Sequence, residues 1–220
     1  GIVVHENKNT QMDEIFRSLR TNIKFLLKEQ QKKILFTSSI SGEGKTFCAA
    51  NLAMSFALLG QRVVLCGLDI RKPALGRLFG IADRNLGITT LLTKEQVTLD
   101  DVQQQIVESG VNDNLHLLLS GPIPPNPSEL LTRETFQQVI SILEQQYDYV
   151  IFDTAPVGLV TDTLQIAEHA DCCVLVCRAD YTPKSSFSLL NQLADEGKLP
   201  NASIAINGID MSRRKYGYYY

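Results

Sequence analysis

The spacing of apolar residues changes several times along the chain, and each change predicts an element. At 11–28 apolar residues recur every three or four positions, which predicts an amphipathic helix ahead of the core. Beyond it, short runs rich in apolar and β-branched residues alternate with helical stretches at 46–59 and 133–146. The predicted strands cover residues 34–37, 63–68, 115–119, 149–152, 172–176 and 203–206.

Strands that alternate with helices are typical of βαβ units. We therefore predict a three-layer α/β fold, with a mostly parallel central sheet and helices on both faces. Right-handed crossovers bring the carboxyl ends of such strands to one edge of the sheet. A ligand site is expected at that edge.

Length and charge narrow the possible functions. The 220 residues suit one large domain, and a net charge of −3 gives no basic excess of the kind that nucleic-acid binding requires. We therefore expect no nucleic-acid partner. No apolar run approaches the roughly 20 residues needed to span a bilayer. We expect a cytoplasmic segment, and because it begins at Gly1 rather than Met we expect it to belong to a longer chain whose membrane anchor lies elsewhere.

The cysteines are odd in number and lie among apolar residues. They show no C-x-x-C spacing, which favours small core residues in a reducing compartment over the alternative of metal or disulfide sites. They are Cys48, Cys66, Cys172, Cys173 and Cys177.

The strongest chemical motif follows the first predicted strand and leads into a helix. Gly42 and Gly44 allow backbone N–H groups to turn toward a phosphate, Lys45 can reach the β- and γ-phosphates of a nucleotide, and Thr46 offers a hydroxyl to Mg²⁺. The strict P-loop pattern requires glycine at position 39, where this chain has Ser39. The glycines, the lysine and the threonine that bind phosphate and Mg²⁺ in such a loop are all present. The predicted nucleotide-binding residues are Ser41, Gly42, Glu43, Gly44, Lys45, Thr46 and Phe47.

Two predicted strands end in an acid, as Mg²⁺ coordination in a P-loop ATPase requires. Asp153 follows an apolar strand and fits a Walker B acid. Asp69 ends a second such strand, which is closer in sequence to the loop. The alternative for each is a solvated or capping acid. We predict Lys45, Asp69 and Asp153 as catalytic residues, and Thr46, Asp69 and Asp153 as the Mg²⁺ site.

Three further polar residues lie close to predicted strand or helix ends. Asp162 either approaches the site from a loop or caps a helix, and Asn207 either contacts adenine or forms an Asn-Gly turn. We include Asn207 in the predicted nucleotide site. Ser128 follows rigid prolines and is predicted as a helix N-cap.

The tail from residue 211 is polar, basic and aromatic, without a period that would pack on a core. Near an ATP site its tyrosines suggest phosphate acceptors, with an aromatic interaction patch as the alternative. The candidate acceptors are Tyr216, Tyr218, Tyr219 and Tyr220, preceded by Arg213, Arg214 and Lys215.

Taken together, these motifs resemble the cytoplasmic domain of the bacterial tyrosine kinases (BY-kinases) of capsule and exopolysaccharide export. The resemblance covers nearly the whole chain. It rests on the P-loop at 42–46, the Walker B acid Asp153, a Walker A′ acid at Asp69 followed by Arg-Lys-Pro, and the tyrosine tail. It also rests on a Glu-x-x-Arg-x-x-Arg helix at Glu14, Arg17 and Arg20, and on Pro-Pro-Asn-Pro before Glu-Leu-Leu at 124–131.

The resemblance implies a P-loop NTPase fold and an ATP- and Mg²⁺-dependent autokinase that phosphorylates the tail of a neighbouring subunit. Glu14, Arg17 and Arg20 would pack the subunits into a ring. It also implies a transmembrane activator or polysaccharide co-polymerase region, expected in the same full-length chain, and an opposing tyrosine phosphatase. The implied divisions are 1–30 (N-terminal segment and oligomerisation helix), 31–210 (kinase domain) and 211–220 (flexible tail).

One position departs from the family pattern. The Walker A′ motif usually carries two acids as Asp-x-Asp, whereas Gly67 stands here in place of the first. The base that accepts the tyrosine proton is therefore not assigned. The alternative interpretations are a positioning or partitioning ATPase, whose extra loop lysine is replaced here by Ile40, and a non-catalytic nucleotide-gated module.

Overall fold

In this computed structural model, residues 1–6, 8–82 and 85–210 are described. One sheet forms within them. Its strands are β1 (Lys33–Ser38), β2 (Val63–Gly67), β3 (Ile106–Glu108), β4 (Leu115–Leu118), β5 (Tyr149–Asp153), β6 (Cys172–Arg178) and β7 (Ala202–Asn207). The helices are α1 (Gln11–Leu26), α2 (Lys45–Ala57), α3 (Leu75–Leu78), α4 (Ile88–Leu92), α5 (Leu99–Gln105), α6 (Pro127–Leu131), α7 (Glu134–Gln146), α8 (Asp162–Ala167) and α9 (Ser186–Asp195).

The strands lie in the order β3-β4-β2-β5-β1-β6-β7. Every neighbouring pair is parallel except β3 with β4, which is antiparallel. The prediction of a mostly parallel sheet with helices on both faces is confirmed. The six predicted strands are present, and the short antiparallel β3 was not predicted.

Both faces of the central strands are covered, so these strands are apolar throughout. In β5, Ile151 packs on the side of α1 and α2, while Val150 and Phe152 pack on the side that carries α4 to α9. The predicted core role of the cysteines is confirmed, because all five thiols are buried and unpaired. Burial raises the pKa of the Cys48 thiol to about 12, which keeps it neutral.

The N-terminal helix α1 begins with a capping box. The Thr10 hydroxyl accepts from the Asp13 N–H, and the Asp13 carboxylate accepts from the Thr10 N–H at 2.7 Å. The helix ends at Leu26, two residues before the predicted end. Phe16 and Ile23 are buried against the side of the sheet that carries α2. The segment before α1 is tied to α2 as well, since the Val3 N–H donates to the Asn51 side chain at 2.7 Å.

The sheet order brings three strand ends together. β5 lies between β1 and β2, so the loops that follow these three strands share one edge. The Asp153 carbonyl at the end of β5 accepts from the N–H groups of Leu68 (2.8 Å) and Asp69 (3.2 Å) beyond β2. These bonds fix the Asp69 loop beside β5, at the edge where a ligand site is expected.

Candidate active site

The loop between β1 and α2 has the backbone that phosphate binding requires. Gly42 and Gly44 take positive φ values of 87° and 95°, a region that residues with a side chain rarely adopt. Gly44 is also the N-cap of α2 and provides no side-chain cap, so the first N–H groups of the helix are left for a ligand. Ser39 replaces the usual glycine without a positive φ, which explains why a side chain is tolerated there.

The side chain of Glu43 holds this loop from within. Glu43 is fully buried, and its carboxylate accepts from the Ser39 hydroxyl at 3.0 Å and the Ile40 N–H at 2.8 Å. The Thr182 hydroxyl donates to the same carboxylate. The Glu43 side chain therefore fixes the loop's shape, and only its backbone is left for the predicted nucleotide contact.

Three residues from the ends of β6 and β7 hold the loop from outside. Arg178 donates to the Gly42 carbonyl at 3.2 Å, and the Tyr181 hydroxyl donates to the Ser41 carbonyl at 2.9 Å. The side-chain amide of Asn207 donates to the Glu43 carbonyl at 3.0 Å. These donors engage the carbonyls of Ser41, Gly42 and Glu43, so only the loop's N–H groups suit the predicted phosphate contact.

The three predicted catalytic residues converge beside this loop. The Lys45 ammonium lies 3.6 Å from Asp69 Oδ2 and 3.9 Å from Asp153 Oδ1. Burial raises the pKa of Asp153 to about 6, and the Lys45 charge and the Thr46 hydroxyl oppose this shift while Asp69 adds to it. The arrangement pairs one cation with two carboxylates at a largely buried place.

The same carboxylates fit a magnesium ion. Asp153 Oδ1 is buried and has no hydrogen-bond partner, although buried carboxylate oxygens are normally satisfied. The described residues include no group of three or more His, Cys, Asp or Glu able to hold a metal. Mg²⁺ usually needs only one or two carboxylates besides substrate phosphates and water, so Thr46, Asp69 and Asp153 match its preferences.

A serine lies next to the position where the first Walker A′ acid was expected. The Ser120 hydroxyl, beyond β4, donates to the Gly67 carbonyl at 2.6 Å. A Cβ at Gly67 would come within 3.2 Å of that hydroxyl oxygen. Sequence reasoning missed Ser120. The sequence places Ser120 directly after the predicted strand 115–119, but its contact with Gly67 depends on β2 and β4 being neighbours, which only the structure shows.

The N-cap alternative for Asp162 is wrong, and its approach to the site stays a prediction. Thr161, not Asp162, is the N-cap residue of α8, and the Asp162 carboxylate instead pairs with Arg71 at 2.6 Å. The Ser128 hydroxyl donates to the same carboxylate at 2.6 Å. The prediction that Ser128 caps α6 is wrong, because Asn126 is the N-cap residue and Ser128 bonds to Asp162. Together Arg71, Ser128 and Asp162 join the segments after β2, β4 and β5.

Other predicted site residues are distributed as follows. The Phe47 ring packs edge-on against Phe16 with centroids 5.9 Å apart, so it belongs to the α1–α2 contact. Arg17 pairs with Glu14 on the exposed side of α1, whereas Arg20 donates to the Ser55 carbonyl of α2 at 2.6 Å. The predicted acceptors Tyr216, Tyr218, Tyr219 and Tyr220 lie outside the described residues.

Comparison with known proteins shows the family to which this chain belongs. A family model described as an AAA domain matches residues 31–198. A putative tyrosine-protein kinase, CapB of Staphylococcus aureus, is 33% identical over 99% of this chain and 94% of its own. The tyrosine-protein kinase YwqD of Bacillus subtilis is 34% identical over 99% of this chain and 90% of its own.

Solved structures agree with these relatives. The crystal structure of the chimerical protein CapA2B2 matches with a TM-score of 0.85 and 32% identity, covering 94% of this chain and 89% of that one. A ParA family ATPase from Chlorobium tepidum has a TM-score of 0.67 at 17% identity, covering 80% of this chain and 74% of that one, which shows a shared fold alone.

Proposed function

The chain belongs to the bacterial tyrosine-protein kinases, and from this membership we propose that it transfers the γ-phosphate of ATP to tyrosines in the tail of a second copy of itself. The observation that carries the proposal is the convergence of Lys45 with Asp69 and Asp153 beside a glycine loop at one sheet edge. That is the constellation of a nucleotide phosphoryl-transfer site.

In this proposal the loop N–H groups at 41–47 hold the phosphates, and Lys45 neutralises the β- and γ-phosphates. Thr46, Asp69 and Asp153 hold Mg²⁺, which when bound neutralises charge on the phosphates during transfer. The Asn207 side chain reaches the Glu43 carbonyl, so its amide supports the loop. Contact between Asn207 and adenine remains part of the proposal. It would use the side-chain oxygen and the second N–H of the Asn207 amide.

The acceptors are Tyr216, Tyr218, Tyr219 and Tyr220. The attacking phenol oxygen forms a bond to the γ-phosphorus as the bond to the bridging oxygen of ADP breaks. Such transfers depend mainly on alignment and charge stabilisation, because the transition state is loose. We therefore assign the residues above to alignment and leave the phenol proton without an assigned base, as Gly67 replaces the expected acid.

We further propose that copies assemble into a ring through α1. Glu14 and Arg17 are exposed there, and exchange of their pairing partners between copies would supply the contact. Arg20 is engaged with Ser55, so in this proposal it positions α1 on α2. A ring raises the effective concentration of a neighbour's tail at the site, which makes transfer between subunits favourable.

The biological setting is proposed in the same terms. The chain would act at the cytoplasmic face of the cell membrane in capsule or exopolysaccharide export, with a transmembrane activator or co-polymerase region and a tyrosine phosphatase as partners. No helix in the described part of the chain is long and apolar enough to cross a bilayer. The proposed divisions remain 1–30, 31–210 and 211–220.

The proposal is tested by incubating the protein with Mg-ATP and mapping modified residues by mass spectrometry. We expect phosphate on Tyr216 to Tyr220, lost in Lys45→Met and retained in Lys28→Met, which removes an exposed lysine outside the site. Steady ATP hydrolysis without phosphotyrosine would favour a positioning ATPase. Tight ATP binding without turnover would favour a nucleotide-gated module, and either result would refute the kinase proposal.

A further inference from the structure

A cavity of about 1100 Å³ lies beside the proposed phosphoryl-transfer site, which is formed by Lys45, Asp69 and Asp153. It is bounded by the segment 71–82, which includes α3, and by residues 119–123 beyond β4. Two contacts join it to the site. The Lys72 N–H donates to Asp69 Oδ1 at 3.0 Å, and Ser120, which lines the cavity, bonds to the Gly67 carbonyl. Its lining includes none of the loop residues 41–47.

The charge of this cavity is opposite to that of the chain. Arg71, Lys72 and Arg77 line it, and no aspartate or glutamate is among its described lining residues, although the whole chain carries −3. Arg71 is held by Asp162. Lys72 and Arg77 are exposed and form no ion pair with any other described residue. Asp83 and Arg84 lie outside the described residues.

The remaining walls are apolar. Ile81, Leu86, Leu119 and Ile123 line the cavity, and Ile123 is 64% exposed. A ligand that satisfies both halves of this lining carries an aromatic or aliphatic body and an anionic end. Phosphotyrosine has this chemistry, because its ring can cover the apolar wall while its phosphate accepts hydrogen bonds from arginine and lysine.

We propose that this cavity binds phosphotyrosine in the tail of a second copy of the chain, with Lys72 and Arg77 as the phosphate ligands. The inference rests on the proposed kinase function, which makes this product next to the cavity. Charge gives it a direction. The unmodified tail carries Arg213, Arg214 and Lys215 and is repelled by a basic surface. Each phosphate adds about −1.5 to −2, so phosphorylation converts that repulsion into attraction.

The consequence is that the product is retained beside the site after transfer. A phosphorylated tail held in the cavity no longer occupies the acceptor position next to the nucleotide. It still links the two copies. Whether neighbours separate would then depend on removal of the phosphate as well as on its addition.

The test uses two synthetic fluorescent peptides covering residues 209–220, one unmodified and one phosphorylated at Tyr218 and Tyr219. Binding is measured by fluorescence anisotropy to the whole protein, with the loop filled by a non-hydrolysable ATP analogue and Mg²⁺. We expect the phosphorylated peptide to bind more tightly. Arg77→Glu should weaken its binding about tenfold, as expected for loss of a charged hydrogen bond.

The matched control is Arg62→Glu, because Arg62 is an exposed arginine at the amino-terminal end of β2, on the opposite edge of the sheet. It should leave phosphopeptide binding unchanged. Arg77→Ala serves as a second variant, and thermal unfolding verifies that each protein is folded.

Three outcomes of the peptide measurements would overturn the inference. They are equal affinity for the two peptides, equal effects of Arg77→Glu and Arg62→Glu, and equally tight binding of a peptide with glutamate at both tyrosines. Binding of anionic phospholipid vesicles that depends on Arg77, without phosphopeptide binding, would also overturn it and would point to a membrane surface instead. Since the peptides are synthetic, these results stand apart from the mass-spectrometric test of kinase activity.

Discussion

At the scale of single residues, Gly44 combines two constraints that no other amino acid meets. Its φ of 95° is rarely adopted by residues with a side chain, and a Cβ there would collide with the Asn207 amide nitrogen. That amide bonds to the Glu43 carbonyl, so the collision would displace a contact that holds the phosphate loop.

Gly44→Ala should therefore weaken binding of a non-hydrolysable ATP analogue by more than about tenfold, which corresponds to about 1.4 kcal/mol. The control is Gly60→Ala, because Gly60 also has a positive φ (77°) but open space around its Cβ position. Both variants should lose about 1–2 kcal/mol of stability from backbone strain. Calorimetric titration and denaturant unfolding measure the two effects. Equal nucleotide affinity in the two variants would contradict this account.

Asp153 is expected to make stability depend on pH. Burial raises the pKa of its carboxyl from 3.8 to about 6 in the folded chain. The folded chain therefore keeps this proton at pH values where the unfolded chain has lost it. The resulting stability is present below about pH 4 and is lost as the pH rises through about 6.

Asp153→Asn should consequently raise the free energy of unfolding at pH 7.5 without nucleotide, by roughly 3 kcal/mol at most. The gain should shrink as the pH falls to 4, because the wild-type carboxyl becomes protonated there. Urea unfolding at several pH values measures it. A gain in the free energy of unfolding that grows toward low pH would contradict the raised pKa of Asp153. Asp153→Asn should also no longer form phosphotyrosine.

The residues proposed to contact phosphate and metal form a pattern in the sequence, because glycine-lysine loops and acids at strand ends have a typical spacing, and the structure brings Lys45, Asp69 and Asp153 together. The residues that support them could not. Arg178, Tyr181 and Thr182 lie at or beyond the end of β6 and hold the loop, yet their spacing forms no motif. Their role depends on β6 being the neighbour of β1, which only the sheet order reveals.

At the scale of elements, the three longest helices of the described residues and six of their strands were predicted, while β3 and α3 were not. The pattern of α1 predicted its start at residue 11 and an end two residues too late. β3 has three residues and α3 has four, so neither spans enough residues to establish a period. Ser128 was misassigned as a cap because the prolines before it indicate a helix start without fixing which residue is the N-cap.

The two arginines of α1 should differ in their effects, because substitution of Arg20 should lower stability and substitution of Arg17 should weaken assembly. Arg20→Ala removes the hydrogen bonds to the Ser55 carbonyl and hydroxyl and should cost about 1–2 kcal/mol. Arg17→Ala removes only an exposed pair with Glu14, which should change stability by less than about 0.5 kcal/mol. Denaturant unfolding of the two variants measures both changes.

If α1 forms the proposed ring contact, Arg17→Ala should lower the mass measured by light scattering while leaving nucleotide binding intact. An unchanged oligomer in Arg17→Ala would refute the assignment of this residue to the interface. Equal stability losses in the two variants would contradict the intramolecular role of Arg20.

At the scale of the whole molecule, one sheet edge carries two neighbouring sites of different charge. The loop after β1 meets Asp69, which follows β2, and Asp153, which ends β5, and the basic cavity begins on the far side of the Asp69 loop. Neither site involves the opposite edge, where Tyr147 pairs with His116 at 2.8 Å. This layout suits a reaction in which a second copy approaches from the edge that carries the strands' carboxyl ends.

The central claim is transfer from one copy's site to the tail of another, and a mixing experiment tests it most directly. A protein truncated after residue 210 keeps the proposed site but lacks the proposed acceptors, while Lys45→Met with the tail present keeps the acceptors but lacks the proposed catalytic lysine. After the two are mixed with Mg-ATP, we expect phosphotyrosine on the Lys45→Met chain, mapped by mass spectrometry to Tyr216, Tyr218, Tyr219 or Tyr220. Absence of phosphate from that chain, under conditions where the intact protein phosphorylates itself, would contradict the account.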